Sequence, residues 1–325
     1  MDLRIKMRIA IAGGAGYTAG ELIRILVNHP QVEIKYVQSE SHAGEAVYAV
    51  HRDLLYLPLT FGDIDFSDID VLFLCMGHGV SEKFLSAHQI PATVKIIDLG
   101  NDFRLAENAH GFVYGLPELS RETIAKSGYI ANPGCFATAI ELGLLPLAAL
   151  NGLPDEISVF GVTGSTGAGQ KPVADTHFSN RCNNLSNYKV FIHQHLSEIN
   201  ETLKRAGAEN SYDLAFVPVR GCHTRGIIID TVFRTSASVR ELTDLYKAYY
   251  AVHPFVCVSD EPLYLKQVVN TNYCFIHITQ QGKQTLVTSV IDNLLKGASG
   301  QAVQNMNLMS GLEETMGLNL KANYF

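Results

Sequence analysis

In the first part of the chain, short unbroken apolar runs alternate with stretches of helical spacing. Residues 7–12, 71–75 and 94–99 read as strands buried on both faces, and 32–38 supplies another strand after the first. Between them, 21–27 and 81–88 carry apolar positions at the three-and-four spacing of a helix. Short strands alternating with helices predict an α/β unit with a doubly wound parallel sheet. Beyond Leu150 the pattern changes: 156–162, 214–219, 226–234, 274–279 and 284–291 read as longer strands, interrupted by helical patterns at 198–205 and 239–252. That order predicts a second, α+β domain on a mixed or antiparallel sheet.

Two junctions in this pattern carry candidate chemistry. The first strand runs into Gly13-Gly14-Ala15-Gly16-Tyr17-Thr18-Ala19-Gly20, and Gly14, Gly16 and Ala19 meet the G-x-G-x-x-G/A spacing of a dinucleotide-binding turn. In that reading Gly14 lets the chain turn, Gly16 lets backbone approach a pyrophosphate, and Ala19 lets the helix pack closely on the sheet. A purely structural turn is the alternative; the order strand, glycine turn, helix favours a Rossmann-type nucleotide site.

The second junction is Asn132-Pro133-Gly134-Cys135, leading into an apolar helical stretch. Asn132 is a good cap and Pro133 a good first helical residue, which puts Cys135 in the first turn. There the orphan amides and the helix dipole favour a thiolate. Taken alone, a buried structural cysteine is an equal reading. The glycine-rich segment 161–172 is too long for a hairpin turn and is either an active-site loop or a flexible connection.

Composition narrows the field. The chain has 325 residues, 47% hydrophobic and 18% charged, with a net charge of −7, which fits a globular protein of two domains and argues against a nucleic-acid surface. No apolar run approaches the roughly 20 residues of a membrane span, and no signal peptide is evident. The six cysteines are scattered without a C-x-x-C, favouring reduced thiols in a cytoplasm and no metal cage.

Several blocks together resemble the N-acetyl-gamma-glutamyl-phosphate reductase family, within the semialdehyde dehydrogenase superfamily: the glycine turn, Gly77-His78-Gly79-Val80-Ser81, Asp102-Phe103-Arg104-Leu105, Val113-Tyr114-Gly115-Leu116-Pro117-Glu118 and Asn132-Pro133-Gly134-Cys135. Gly167-Ala168-Gly169, His193-Gln194-His195 with Glu198, Thr224-Arg225-Gly226 and the tail from Gly297 to Asn305 extend the similarity over nearly the whole chain. The resemblance implies reduction of N-acetyl-glutamyl 5-phosphate to the 5-semialdehyde and phosphate, through a thioester on Cys135 and hydride from a nicotinamide cofactor.

It also implies His195 as acid/base, oriented by Glu198. His193 is the competitor, the two being expected to face opposite ways on an extended segment. Gly13, Gly14, Ala15, Gly16, Tyr17, Thr18, Ser39, Ser41, His78 and Gly300 are the expected cofactor residues, His78 either lining the cleft or capping a turn. Arg104 and Arg225, with Lys171 a weaker candidate, are the expected anion binders; a structural ion pair is the alternative for either arginine. The expected architecture is a Rossmann domain over 1–134, joined by a C-terminal helix 301–325, and a catalytic and dimerisation domain over 135–300. A homodimer or homotetramer is expected.

Three features depart from the family pattern. Glu40 sits between Ser39 and Ser41 where a basic residue commonly meets the 2′-phosphate of NADP, so NADP is the expected cofactor with NAD left open. Gln170 stands where an arginine is common. The segment Val219-Arg220-Gly221-Cys222-His223 is longer than usual, which opens the acyl pocket to a larger or more acidic group than acetyl. The alternatives are a sister acyl-phosphate reductase, of aspartate-semialdehyde or aminoadipyl type, and a dinucleotide-binding sensor without turnover.

Overall fold

The computed structural model describes residues 6–77 and 79–325; His78 lies outside them. The chain forms two compact units, one running to Pro133 and taking in Ala298–Asn319, the other comprising Gly134–Gly297 with Leu320–Phe325.

In the first unit the elements are β1 (Met7–Ala12), α1 (Tyr17–Leu26), β2 (Val32–Gln38), β3 (Val71–Leu74), α2 (Ser81–Ala87), β4 (Lys95–Asp98), β5 (Val113–Tyr114), α3 (Pro117–Lys126) and β6 (Tyr129–Ala131). All neighbours in the sheet β2-β1-β3-β4-β6-β5 are parallel. Parallel strands are covered on both faces, which is why Ile9, Ile11, Leu72 and Phe73 are all wholly buried and why their runs show no alternation. The order reverses between β1 and β3, and the loops that leave these two strands meet there: the space a side chain would take at Gly13 falls 2.6 Å from the Cys75 carbonyl oxygen. In an open α/β sheet that reversal is where ligands bind.

The C-terminal part of this unit is held by polar groups. In the helix Gly300–Met309, Gln301, Gln304, Asn305 and Asn307 are all wholly buried. Asn305 Nδ2 donates to Gly115 O at 2.9 Å and Asn132 Oδ1 at 3.1 Å; His29 Nε2 and Asn307 Oδ1 lie 3.0 Å apart. Lys95 Nζ donates to the Met309 carbonyl. The helix ends at Met309, and Leu320–Phe325 belong to the other unit, so the expected return of 301–325 as one helix is divided.

The second unit contains α4 (Cys135–Ala148), β7 (Glu156–Thr163), α5 (Phe178–Arg181), β8 (Ser186–Asn187), α6 (His195–Ala206), β9 (Asp213–Arg220), β10 (Ile227–Arg234), α7 (Val239–Tyr250), β11 (Val256–Ser259), β12 (Cys274–Gln281) and β13 (Gln284–Ile291). The mixed sheet runs β11-β12-β13-β10-β7-β9-β8, with β11 parallel to β12, β7 parallel to β9 and the other pairs antiparallel. Its long strands alternate, as in Ile227, Ile229, Thr231 and Phe233 turned inward along β10.

Helix α4 is buried along its whole length after Cys135, and Pro146 sits inside it. A proline there removes the bond its N–H would give to the carbonyl four residues earlier, that of Leu142. The Tyr250 hydroxyl donates to this carbonyl at 2.5 Å, and the Tyr246 hydroxyl to the next one, Gly143 O, at 2.6 Å. Two tyrosines of α7 thus satisfy acceptors at the proline, and Ser289 Oγ donates to Ala139 O at 2.7 Å from β13. Tyr250→Phe is expected to lower the unfolding free energy by about 1–3 kcal/mol, the cost of an unsatisfied buried carbonyl, measurable by urea denaturation.

Candidate active site

The nucleotide end of the first unit is built by its glycines, in a different division of labour from the expected one. The left-handed residue is Gly13 (φ +78°), not Gly14. Gly14 is confined instead by Val37 and Gln38. At Gly16 the atom nearest to where a β-carbon would stand is Thr18 Oγ1, at 4.0 Å, leaving room for a ligand beside the cap of α1. The first turn of α1 carries no acidic residue, so its amide end favours an anion, and the donors fit a pyrophosphate. Ala19 is wholly buried.

Sequence reasoning passed over His51. Its Nε2 lies 2.7 Å from Gly14 O, and its ring occupies the space a side chain at Gly20 would need. After β2, Ser39 is buried, its Oγ 3.3 Å from Ser41 Oγ, while Glu40 is exposed in a short 3₁₀ turn. Tyr17 opens α1 partly exposed, Thr18 O accepts from Ser299 Oγ at 2.7 Å, and Gly300 is the buried first residue of its helix rather than part of a turn.

The strands β4 and β6 end beside Arg104, whose Nε donates to Asn132 O at 2.9 Å and Nη2 to Leu99 O at 3.2 Å. This guanidinium is buried and fixes the backbone leading to Pro133. Asn132 is likewise occupied within the unit, donating to Ala298 O at 3.1 Å, and it does not cap the helix. The cap of α4 is Gly134, in an extended conformation, and Cys135 is the first helical residue. Pro133 therefore lies outside the helix. The Gly134 carbonyl accepts from Thr138 N at 2.8 Å and Thr138 Oγ1 at 3.0 Å, which closes the first turn.

Around Cys135 the second unit gathers a compact polar group. Glu198, on the first turn of α6, accepts from Gly134 N–H through Oε2 at 3.3 Å and places Oε1 3.6 Å from His195 Nε2. The two histidines do not face opposite ways. Gln194 has helical backbone angles and Leu196 N bonds His193 O, so a turn brings the rings to 4.7 Å, both against Phe136. His193 Nδ1 accepts from the His195 amide at 3.2 Å. Gly297 sits in a wide π turn, Leu295–Ser299, where a side chain would meet Cys135 Cβ at 2.7 Å. Such turns occur frequently at functional sites.

Cys135 is partly accessible. Burial pushes Cys75 up to about 12, which keeps it a thiol. Burial, and after it negative charge at Cys135, raises the Tyr188 phenol to about 12, with Arg220 opposing. Arg220, missed as a candidate, stands 4.7 Å over the Tyr188 ring. Arg225 forms a two-pronged pair with buried Asp292, Nε to Oδ2 at 3.0 Å and Nη2 to Oδ1 at 3.1 Å; Asp292 also accepts from the amides of Asn270, Leu294 and Leu295. Lys171 and Gln170 are exposed on the glycine-rich loop. That loop is tied down at its start, with Gly164 N bonded to Gly226 O and Thr166 Oγ1 to Thr224 O.

Comparison with known proteins places this geometry. The chain is 52% identical over 323 residues to N-acetyl-gamma-glutamyl-phosphate reductase of Bacteroides fragilis, covering 98% of this chain and 100% of that one. It belongs to that reductase family. The enzymes of the same name from Phocaeicola vulgatus and Christiangramia forsetii are each 51% identical, over 98% and 97% of this chain and 100% and 98% of theirs. Residues 8–127 match the semialdehyde dehydrogenase NAD binding domain and 135–293 the semialdehyde dehydrogenase dimerisation domain, so a dinucleotide-binding domain is present. The fold is shared with aspartate semialdehyde dehydrogenase II of Vibrio cholerae (TM-score 0.73, 16% identity, 95% of this chain and 99% of that one). It is shared as well with the Candida albicans aspartate semialdehyde dehydrogenase solved with NADP (TM-score 0.72, 15% identity, 94% and 99%).

Burial, followed by the charges of His195 and Lys189, pushes His193 down to about 3. The unfolded imidazole titrates near 6.5, so the stability gained by burying the neutral ring is complete above that pH and is lost as pH falls toward 3. Asp98, raised to about 6 chiefly by burial, works oppositely between about 4 and 6, so the comparison must be between variant and parent. Between pH 7 and 5 the parent should lose about 1–2 kcal/mol more than His193→Asn, read from urea unfolding at each pH.

Proposed function

We propose that the chain reduces an N-acyl-gamma-glutamyl phosphate, with N-acetyl as the reference substrate, to the corresponding semialdehyde, releasing inorganic phosphate. Full-length identity of about half to curated reductases carries this reading, and the grouping of Cys135, His195 and Glu198 supports it. The Cys135 thiolate attacks the γ-carbonyl carbon; the bond from that carbon to the phosphate oxygen breaks, phosphate leaves with the electron pair, and a thioester remains on sulfur. A nicotinamide cofactor would be held by the glycine turn and the amide end of α1 and would supply the hydride for reduction of the thioester. His195, protonated after taking the thiol proton, delivers it to the carbonyl oxygen to give a thiohemiacetal. The same ring takes it back as the C–S bond breaks, which releases aldehyde and restores the thiolate. Glu198 holds the imidazole and stabilises its charged form, while His193, neutral, accepts from the His195 amide and fixes the turn.

NADP is the proposed coenzyme, with Ser39 and Ser41 offering hydroxyls to the 2′-phosphate and exposed Glu40 turned to solvent. Phe178, Phe191 and Ile192 are each more than 60% exposed in the second unit, which supports its association with a second copy of the chain in a homodimer or larger homo-oligomer. No helix among the described residues is long and apolar enough to cross a membrane, which is compatible with the proposed cytoplasmic location.

The test is steady-state assay in the oxidative direction with N-acetyl-glutamate semialdehyde, phosphate and either NADP or NAD, alongside aspartate and aminoadipate semialdehydes. Phosphate-dependent reduction of NADP with the glutamate compound is expected; activity with aspartate semialdehyde alone, or with none, rejects the reading. Cys135→Ser should lower kcat by at least about a thousandfold, and His195→Gln by about a hundredfold to ten-thousandfold. His193→Asn should retain kcat within about tenfold, since its ring carries no proton near neutrality.

A further inference from the structure

Both arginines expected to bind substrate have acceptors within the protein: Arg104 bonds backbone carbonyls and Arg225 bonds Asp292. A different pair is placed otherwise. Arg181 ends α5 and is only 6% exposed, yet Nη1 and Nη2 each donate to the single acceptor Ser186 Oγ at 3.3 Å, and its water-shielded Nε has no partner. Ser186 pairs across β8–β9 with Arg220. The Arg220 guanidinium lies over Tyr188, and the Tyr188 ring stands 5.7 Å from that of His193, itself 4.7 Å from His195. Among the described residues, neither Arg181 nor Arg220 is joined to an Asp or Glu by an ion pair.

A guanidinium buried without a counter-ion is a standing cost, and a half-satisfied planar fork matches the two oxygens of a carboxylate. We infer that Arg181 and Arg220 form a seat for a carboxylate of the substrate remote from the reacting carbonyl. The inference rests on the reductase reading above and deepens it by naming what the substrate must carry. The carboxylate comes from one of two places: the α-carboxylate of the glutamyl unit, or an N-acyl group that itself ends in a carboxylate. The arginine on β9 falls in the segment that departs from the family pattern, 219–223, which brings the second source into play.

Arg181→Met and Arg220→Met in the full-length protein test this with two semialdehydes, the N-acetyl compound and an analogue whose N-acyl group ends in a carboxylate. Each substitution should raise the semialdehyde KM by about tenfold or more, with kcat and the phosphate KM within about threefold of the parent. Arg181→Met should not lower the melting midpoint, because it removes a buried charge that has no counter-ion. An equal penalty on both substrates assigns the seat to the α-carboxylate, and a penalty confined to the analogue assigns it to the acyl group; either supports the proposal. An unchanged semialdehyde KM overturns it, as does a rise confined to the phosphate KM or a fall in melting midpoint at unchanged KM. If the parent turns over neither compound, the reductase reading fails, and the seat is judged by glutarate. A rise in melting midpoint in the parent that Arg181→Met abolishes upholds the seat, and no rise overturns it.

Discussion

One buried carboxylate sets the geometry on which the second unit depends. Glu198 accepts from the amide of Gly134, the residue that opens α4, and faces the ring of His195 with its other oxygen. Its position therefore fixes the start of the helix that bears Cys135 and the direction of the imidazole together. Moving one would move the other. Phe136 forms the apolar wall behind both histidines, in edge contact with His193, His195 and Phe216, and keeps that carboxylate–imidazole pair away from bulk water. In such surroundings charge interactions are stronger than at a surface, which suits the proton exchange proposed for His195.

A second constraint comes from backbone meeting backbone. Gly297 presses on the β-carbon of Cys135, so the thiol is bounded on that side by main chain instead of a mobile side chain. The turn that delivers Gly297 is anchored at Asp292, whose carboxylate collects the amides of Asn270, Leu294 and Leu295 as well as the Arg225 fork. Arg225 thus acts on the surroundings of Cys135 through Asp292. Its counterpart in the first unit, Arg104, acts on the backbone carbonyls of Leu99 and Asn132.

Much of this was legible in the sequence. Strands β1, β2 and β13 carry the spans their apolar patterns predict, because burial on a sheet face is written directly in residue spacing. Cys135 and His195 were legible as candidates from the helix-start residues and the family resemblance. What local reading missed depended on distant partners. Asn132 has the chemistry of a cap, but Ala298 and Asn305 use it. His193 and His195 alternate in sequence, yet one helical residue between them turns both rings the same way. Arg181 and His51 carry no local signal, since each acquires its setting from a strand or loop elsewhere in the chain or from a packing neighbour. Strands of two or three residues, β5, β6 and β8, are too short for any periodicity to register.

The polar contacts that fix Gly300–Met309 bear on the order of assembly. The first unit is discontinuous: its sheet is complete in sequence by Ala131, but carbonyls and amides within it await a helix encoded only after the whole of the other unit's main segment. During synthesis from the N-terminus, the other unit, continuous from Gly134 to Gly297 apart from its last six residues, has nearly all its chain available first. Until the terminal helix emerges, the nucleotide-binding sheet stands with unmet polar groups at Gly115 and Asn132 and is the part of the nascent polypeptide most in need of chaperone protection.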